Sequence, residues 1–354
     1  MKTLPRGSNP SVISFDVTYR CNLQCRMCNT WRLPDGREEM TAEQIIKTAF
    51  DYGAALGITS VRFLGGEPLL RDDVPDIVAA VSPTFATELV TNGTLMTPRL
   101  AERLVRSGLH NLRVSIDGPE DVNDRMRGAG SFQKSARALD MIREAKERLG
   151  ADHPAVTVWQ CTSRLNCGAL CDMYLFAKSK GAAFAIFFMV DGPAAIVGDA
   201  LWDAPRGIRR LVDPDHLCLT LQERRRVTLD YFRMLATVED RGAIGIAMTR
   251  LAGHARVWHS RLGSIIYRDC SRSMHAIIVD PYGDLVPCEH LYTYRYGNCL
   301  TDGPNAWGSQ THIQLRRAIR SGSISPCREC NRFSQYRSRH DYRAAPSRVL
   351  VRGR

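Results

Sequence analysis

The chain has 354 residues, 44% of them hydrophobic and 24% charged, with a formal net charge of +11 and twelve cysteines. That length and apolar content allow one large core plus a small appended module and exclude a disordered or low-complexity chain. No apolar signal core follows Met1, and the longest apolar stretch, around 182–190, is too short to span a bilayer. With so many cysteines to keep reduced, a cytoplasmic protein away from membranes is expected.

A strand-like apolar run over 12–18 leads into Cys21-Asn-Leu-Gln-Cys25-Arg-Met-Cys28. Three thiolates in this Cys-x3-Cys-x2-Cys spacing can each hold one iron of a cubane, leaving the fourth iron without a protein ligand. A zinc knuckle would want a fourth ligand, and the next cysteine is Cys161. After a second apolar run at 59–64 comes Gly65-Gly66-Glu67-Pro68. There the missing Cβ atoms let backbone approach a ligand, and the Glu67 carboxylate can accept a hydrogen bond from an ammonium group. Together the two motifs resemble the radical S-adenosylmethionine (radical SAM) superfamily. The resemblance implies a [4Fe-4S] cluster with an open iron site, held by Cys21, Cys25 and Cys28 and chelated by S-adenosyl-L-methionine. Reductive cleavage of that cofactor would supply a 5′-deoxyadenosyl radical that abstracts a hydrogen atom. Gly65, Gly66, Glu67 and Pro68 would contact the cofactor, and Met27 would pack on its adenine.

Further strand-like runs at 85–90, 111–116, 155–160 and 183–189 alternate with amphipathic stretches at 41–56, 73–81, 97–107, 131–149 and 167–180. Six βα units predict an α/β fold, a parallel sheet curled into a partial (β/α)6 TIM-like barrel, with functional residues in the loops after the strands. Asn92 follows the third strand, Ser115 ends the fourth and Asn166 follows the fifth, and by resemblance all three join the cofactor site. Read without it, Asn92-Gly93 is a tight turn, Ser115 a strand residue and Asn166 a helix cap. Cys167, in the loop after the fifth strand, is the candidate hydrogen-atom donor to a substrate radical. Cys161, Cys171, Cys218 and Cys299 read mostly as core thiols.

Residues 191–262 carry no motif; their Gly-Pro-rich start and helix-like Leu221–Val238 stretch read as a bridge. Beyond it stand Cys270, Gly283-Asp-Leu-Val-Pro-Cys288 and Cys327-Arg-Glu-Cys330. This spacing resembles the twitch domain, a shortened SPASM module, and implies a second, auxiliary [4Fe-4S] cluster on Cys270, Cys288, Cys327 and Cys330. Two separated cysteine pairs also suit tetrahedral zinc. Alternation over 276–286 reads as a β-hairpin with Gly283 at its turn. The expected organisation is a barrel over 1–195, a bridging helical segment over 196–265, a small α+β auxiliary-cluster domain over 266–335 and a basic tail over 336–354.

The tail holds six arginines against Asp341 alone, and a second basic group comprises Arg206, Arg209, Arg210 and Arg224 to Arg226. A solvated surface accounts for both; arginine forks would otherwise suit an anionic substrate, and nucleic acid is disfavoured for want of a binding module. Only twenty residues precede Cys21, which favours a small polar substrate such as a sugar, aminocyclitol or nucleoside. The expected enzyme is an oxidoreductase-like one, with the auxiliary cluster as electron acceptor or substrate anchor and a reductase, flavodoxin or ferredoxin as electron donor. The alternative is a maturase that modifies a peptide. A third reading is a non-enzymatic iron–sulfur or zinc interaction protein.

Overall fold

The computed structural model describes residues 10–28, 30–33, 36–188, 217, 219–237, 276–288, 291–292 and 294–321. Cys218, Cys270, Cys327, Cys330, Arg206, Arg209, Arg210, most of the bridge and the basic tail lie outside the described residues.

Six parallel strands form the barrel wall: β1 (Val12–Thr18), β2 (Ser60–Gly65), β3 (Ala86–Thr91), β4 (Asn111–Ser115), β5 (Ala155–Thr162) and β6 (Ala183–Phe188). They are paired in sequence order from β1 to β6. Between them run α1 (Ala42–Leu56), α2 (Val74–Val81), α3 (Pro98–Arg106), α4 (Glu120–Arg127), α5 (Ser131–Leu149) and α6 (Leu170–Ser179), and α7 (Leu221–Thr237) follows. Alternation sorts the strand side chains. Ile13, Phe15, Val61, Phe63, Leu89, Leu112 and Val158 belong to the core cluster shared with the helices. The opposite face carries a polar row, in which Glu88 pairs with Arg62 at 3.2 Å and Arg113 at 2.6 Å, and Arg113 lies over the Trp159 ring at 4.7 Å.

Local signals explain where helices begin. Thr41 and Gln44 form a reciprocal capping box ahead of α1, Gln44 N–H donating to Thr41 Oγ1 and Thr41 N–H to Gln44 Oε1. Thr97 caps α3 by accepting from Leu100 N–H, with Pro98 as its first residue. Helix α4 was not foreseen; its sequence, Glu-Asp-Val-Asn-Asp-Arg-Met-Arg, has too few apolar residues to declare a period.

The predicted hairpin exists as β7 (Ala276–Val279) and β8 (Asp284–Val286), with β9 (Gly297–Asn298) paired to β8. It does not stand apart from the barrel. Strand β7 pairs parallel with β1, Val12 opposite Ala276 through Phe15 opposite Val279, so all nine strands form one sheet with β1 near its middle. Side chains reinforce the join: Tyr52 Oη donates to Gly303 O at 2.7 Å, and Arg37 pairs with Asp284 at 2.8 Å and covers Tyr282 at 3.9 Å. Helix α8 (Gln310–Ser321) closes this unit.

Two expectations need correction. Cys171 is exposed, because it sits in the first turn of α6 beside exposed residues, whereas Cys161 and Cys299 are buried as expected. Arg224 is buried on the inner side of α7 with Val227 and Thr228, so of that basic group only Arg225 and Arg226 are surface residues among those described.

His312, in the first turn of α8, is buried between the rings of Tyr296 and Trp307, each centroid 4.4 Å away, and its Nδ1 accepts from Gly308 N–H at 3.0 Å. Burial, then the charge of Arg316, pulls it down to about 3. The folded imidazole therefore stays neutral where the unfolded one takes up a proton below about 6.5, and stability falls as the pH drops from there towards 3. The variant His312→Asn keeps an acceptor without the titration. The advantage of the unsubstituted protein over it in denaturant unfolding should shrink by about 1.4 kcal/mol between pH 7.5 and 5.5.

Candidate functional site

Strand β1 delivers the cysteine loop to the C-terminal end of the barrel, and the next strand holds it there. Gly66 N–H donates to Thr18 O at 2.7 Å, and Glu67 N–H to Arg20 O at 2.9 Å. A Cβ at Gly66 would collide with the Arg20 carbonyl oxygen, and one at Gly65, whose φ is 123°, with that of Thr18. The two glycines thus let the strand-end backbone lie against the root of the loop.

Glu67 is fully buried and its carboxylate is already engaged. Oε1 accepts from Thr91 Oγ1 at 2.6 Å and Leu69 N–H at 3.1 Å, and Oε2 from Asn92 N–H at 2.7 Å. Burial pushes its pKa up, opposed by these hydrogen bonds and the charge of Arg127. Pro68 opens the short 3₁₀ turn that follows. The Asn92 side chain reaches the cysteine loop, donating to Asn22 Oδ1 at 2.9 Å, while Asn22 Nδ2 donates to Thr94 Oγ1 at 2.8 Å. The β2 and β3 loops therefore grip the cysteine loop from two directions.

Within the loop, Cys25 is 8% exposed and Cys21 and Cys28 are half-buried. Leu23 N–H donates to Cys21 Sγ at 3.4 Å, and Cys28 N–H to Cys25 O at 3.1 Å. Burial pushes the Cys25 thiol up to about 12 and raises Cys21 as well, with Arg127 pulling both the other way. Among the described residues no three side chains converge as a single metal ion would require. A cubane takes each thiolate on a different iron, so an all-thiolate set spread along one loop fits a cluster better than a mononuclear ion. No other described cysteine joins it.

The far wall comes from β4, β5 and α4. Asn166 is 1% exposed and its amide is spent internally: Nδ2 donates to Asp117 O at 2.6 Å and Cys161 O at 2.8 Å, and Oδ1 accepts from Ser163 N–H at 2.7 Å. It shapes the loop after β5 and makes no side-chain cap. Ser115 is half-buried at the end of β4, and its hydroxyl has no partner among the described residues. Met27 packs beside Cys161, Leu217, Leu165 and Phe187. Cys161, not Cys167, is therefore the thiol that shares Met27's surroundings; Cys167 packs on the helical side of the sheet, its Sγ 3.7 Å from Arg164 O. Cys288 is half-buried behind the hairpin, the one described member of the predicted auxiliary set. Tyr19 bridges towards it, its ring meeting Tyr292 at 5.4 Å and Tyr282 at 5.9 Å.

Sequence reading places Asp117 in the loop after the fourth strand without a role for it, and misses Arg127. Asp117 is completely buried; it accepts Cys161 N–H at 2.7 Å and pairs with Arg127 Nε at 2.6 Å. The signal was a carboxylate at a strand end with an arginine ten residues on, uninformative until folding buries both.

Two substitutions test the frame. Gly66→Ala should prevent the loop from seating, read as loss of the N-terminal cluster's iron and visible absorbance after anaerobic reconstitution while the helical circular dichroism persists. Glu67→Gln gives an amide that cannot accept from all three donors and should lower stability by about 1–3 kcal/mol in denaturant unfolding.

The pattern of the radical SAM superfamily matches residues 15–151, and that of an iron–sulfur cluster-binding domain, SPASM, matches residues 270–331. Mycofactocin maturase MftC of Mycolicibacterium smegmatis is 28% identical over 336 residues, 93% of this chain and 77% of that protein. An AdoMet-dependent heme synthase of Methanosarcina barkeri is 28% identical over 295 residues, 80% of this chain and 77% of its own length. A PqqA peptide cyclase of Granulibacter bethesdensis is 33% identical over 140 residues, 38% of this chain and 37% of that one. In fold, Streptococcus suis SuiB bound to S-adenosylmethionine superposes with a TM-score of 0.64 at 14% identity, covering 87% of this chain and 68% of SuiB. With the cysteine loop, the glycine contacts and both matches in hand, the chain belongs to the radical SAM superfamily: it is an enzyme that binds S-adenosylmethionine and a [4Fe-4S] cluster and carries a SPASM-type auxiliary iron–sulfur domain.

Proposed function

We propose that the chain is a peptide-modifying radical SAM enzyme, acting on a peptide and not on the small polar molecule first expected. The observation that carries this reading is the likeness to the mycofactocin maturase along 93% of the chain, joined by the shorter likeness to a peptide cyclase. The small-substrate expectation rested on the few residues before Cys21, and where a sequence begins is a poor guide to its substrate. The likeness to a heme synthase keeps a small-molecule substrate as the second reading.

Bound to this chain, the cluster and S-adenosylmethionine would supply a 5′-deoxyadenosyl radical for hydrogen-atom abstraction. The surroundings of the residues support the following roles. Cys21, Cys25 and Cys28 hold the cluster; Gly65 and Gly66 let the strand-end backbone seat the loop that carries it; Ser115 offers a hydroxyl with no described partner, and Met27 an adaptable apolar surface. Glu67, Asn92 and Asn166 are positioning residues, because their polar atoms are engaged with the loops they hold. Cys270, Cys288, Cys327 and Cys330 hold the auxiliary cluster over 266–335, and a flavodoxin- or ferredoxin-type protein donates the electron. Among the described residues no helix is long and apolar enough to cross a membrane.

The test is anaerobic incubation of the reconstituted protein with reductant, S-adenosylmethionine and synthetic peptides encoded next to its gene. A peptide mass change that needs the cofactor, together with 5′-deoxyadenosine formation abolished in a Cys21/Cys25/Cys28→Ala variant, is the expected outcome. Deoxyadenosine formation stimulated only by a porphyrin precursor, sugar or nucleoside would overturn the peptide reading.

A further inference from the structure

Helix α4 ends against the cysteine loop. Arg26 N–H donates to Met126 O at 2.9 Å, and the Cys25 thiol lies 4.0 Å from Arg127 O. The Arg127 side chain is nine-tenths buried, and Nε, facing Asp117 Oδ2 at 2.6 Å, is its one hydrogen-bonding nitrogen among the described residues. Among the described residues its two terminal amino groups have no hydrogen-bond partner. Its charge acts on Cys21, Cys25 and Glu67, and burial, which would pull the guanidinium down, is outweighed by Asp117 and Cys25, so it stays charged. Asp117 is anchored in turn, its N–H donating to Asn123 Oδ1 at 2.9 Å and its second oxygen accepting from Cys161 N–H.

Beyond its pairing with Asp117, this buried cation lies beside the loop that carries the three cysteines, and its charge reaches Cys21 and Cys25. Three thiolates and a cubane make an anionic assembly that gains another negative charge on reduction, and nearby charge is among the main determinants of such a cluster's potential. We propose that Arg127, oriented by Asp117, sets the reduction potential of the cluster on Cys21, Cys25 and Cys28, favouring the state with one more electron. The inference rests on those cysteines holding a cluster. Arg127 is a positioning and electrostatic residue here, touching no substrate.

The experiment is a redox titration of the reconstituted protein, followed by electron paramagnetic resonance and read on the signal that changes when S-adenosylmethionine is added. Absence of any such signal from the unsubstituted protein would remove the cluster reading itself. With the signal present, Arg127→Gln should lower the midpoint potential measured without cofactor. Arg127→Lys, which keeps the charge, should restore most of it. Asp117→Asn, which removes the opposing charge, should shift it the other way. Should Arg127→Gln fail to load iron, a rise in Asp117→Asn beside a nearly unchanged potential in Arg127→Lys still decides. A potential that does not move in Arg127→Gln, variants of both residues moving it in the same direction, or a loss confined to S-adenosylmethionine affinity would each overturn the proposal.

Discussion

The close approach of residues 65–67 to residues 18–20 governs everything built above it. Two backbone hydrogen bonds and two positions where a Cβ has no room tie the start of the cysteine loop to the end of the neighbouring strand. Backbone contact of this kind is insensitive to side-chain rotamers, so three thiols that must meet three irons start from a fixed origin. The order of events in the chain follows from it: a strand, a ligand loop, a helix, a second strand, and then the glycines that clamp the first loop.

Around that clamp stand three buried polar groups whose hydrogen bonds link one loop to the next. Glu67 takes three donors, Asn166 gives two hydrogen bonds and accepts another, and Asp117 meets Arg127 and a backbone amide. Unpaired, any one of these would cost a few kcal/mol; paired, they tie the loops after β2, β3, β4 and β5 to one another. Glu67 and Asn166, which the resemblance assigns to the cofactor site, also hold the loops around it. Ser115 differs, since its hydroxyl has no such commitment among the described residues.

The barrel was legible because strand-like runs such as Val12–Thr18 and Ala183–Phe188 alternate along the chain with amphipathic helical stretches, the order of a βα repeat. Helix α4 escaped because its polar sequence carries no stripe; its helicity is settled by what its last turn touches. Arg127 escaped for the same reason, as a buried cation looks like a solvated one until the fold surrounds it. The parallel pairing of β7 with β1 was not legible at all. A short apolar run specifies that a strand will be buried, and its partner is chosen by the rest of the fold. The cysteine spacing, by contrast, was informative from the start, because the chemistry of the ligands and not the packing imposes it.

That last pairing sets a timetable for the chain's birth. Val12 meets Ala276 only after about 260 further residues have been made, on the order of tens of seconds at ordinary rates of synthesis. Until then β1 can be joined on one side by β2, while its other side presents bare N–H and C=O groups along the strand that carries the cluster loop. The nascent barrel therefore spends most of its synthesis with an open edge beside the loop that carries Cys21, Cys25 and Cys28. An organism that makes this enzyme must shelter that edge until the hairpin arrives.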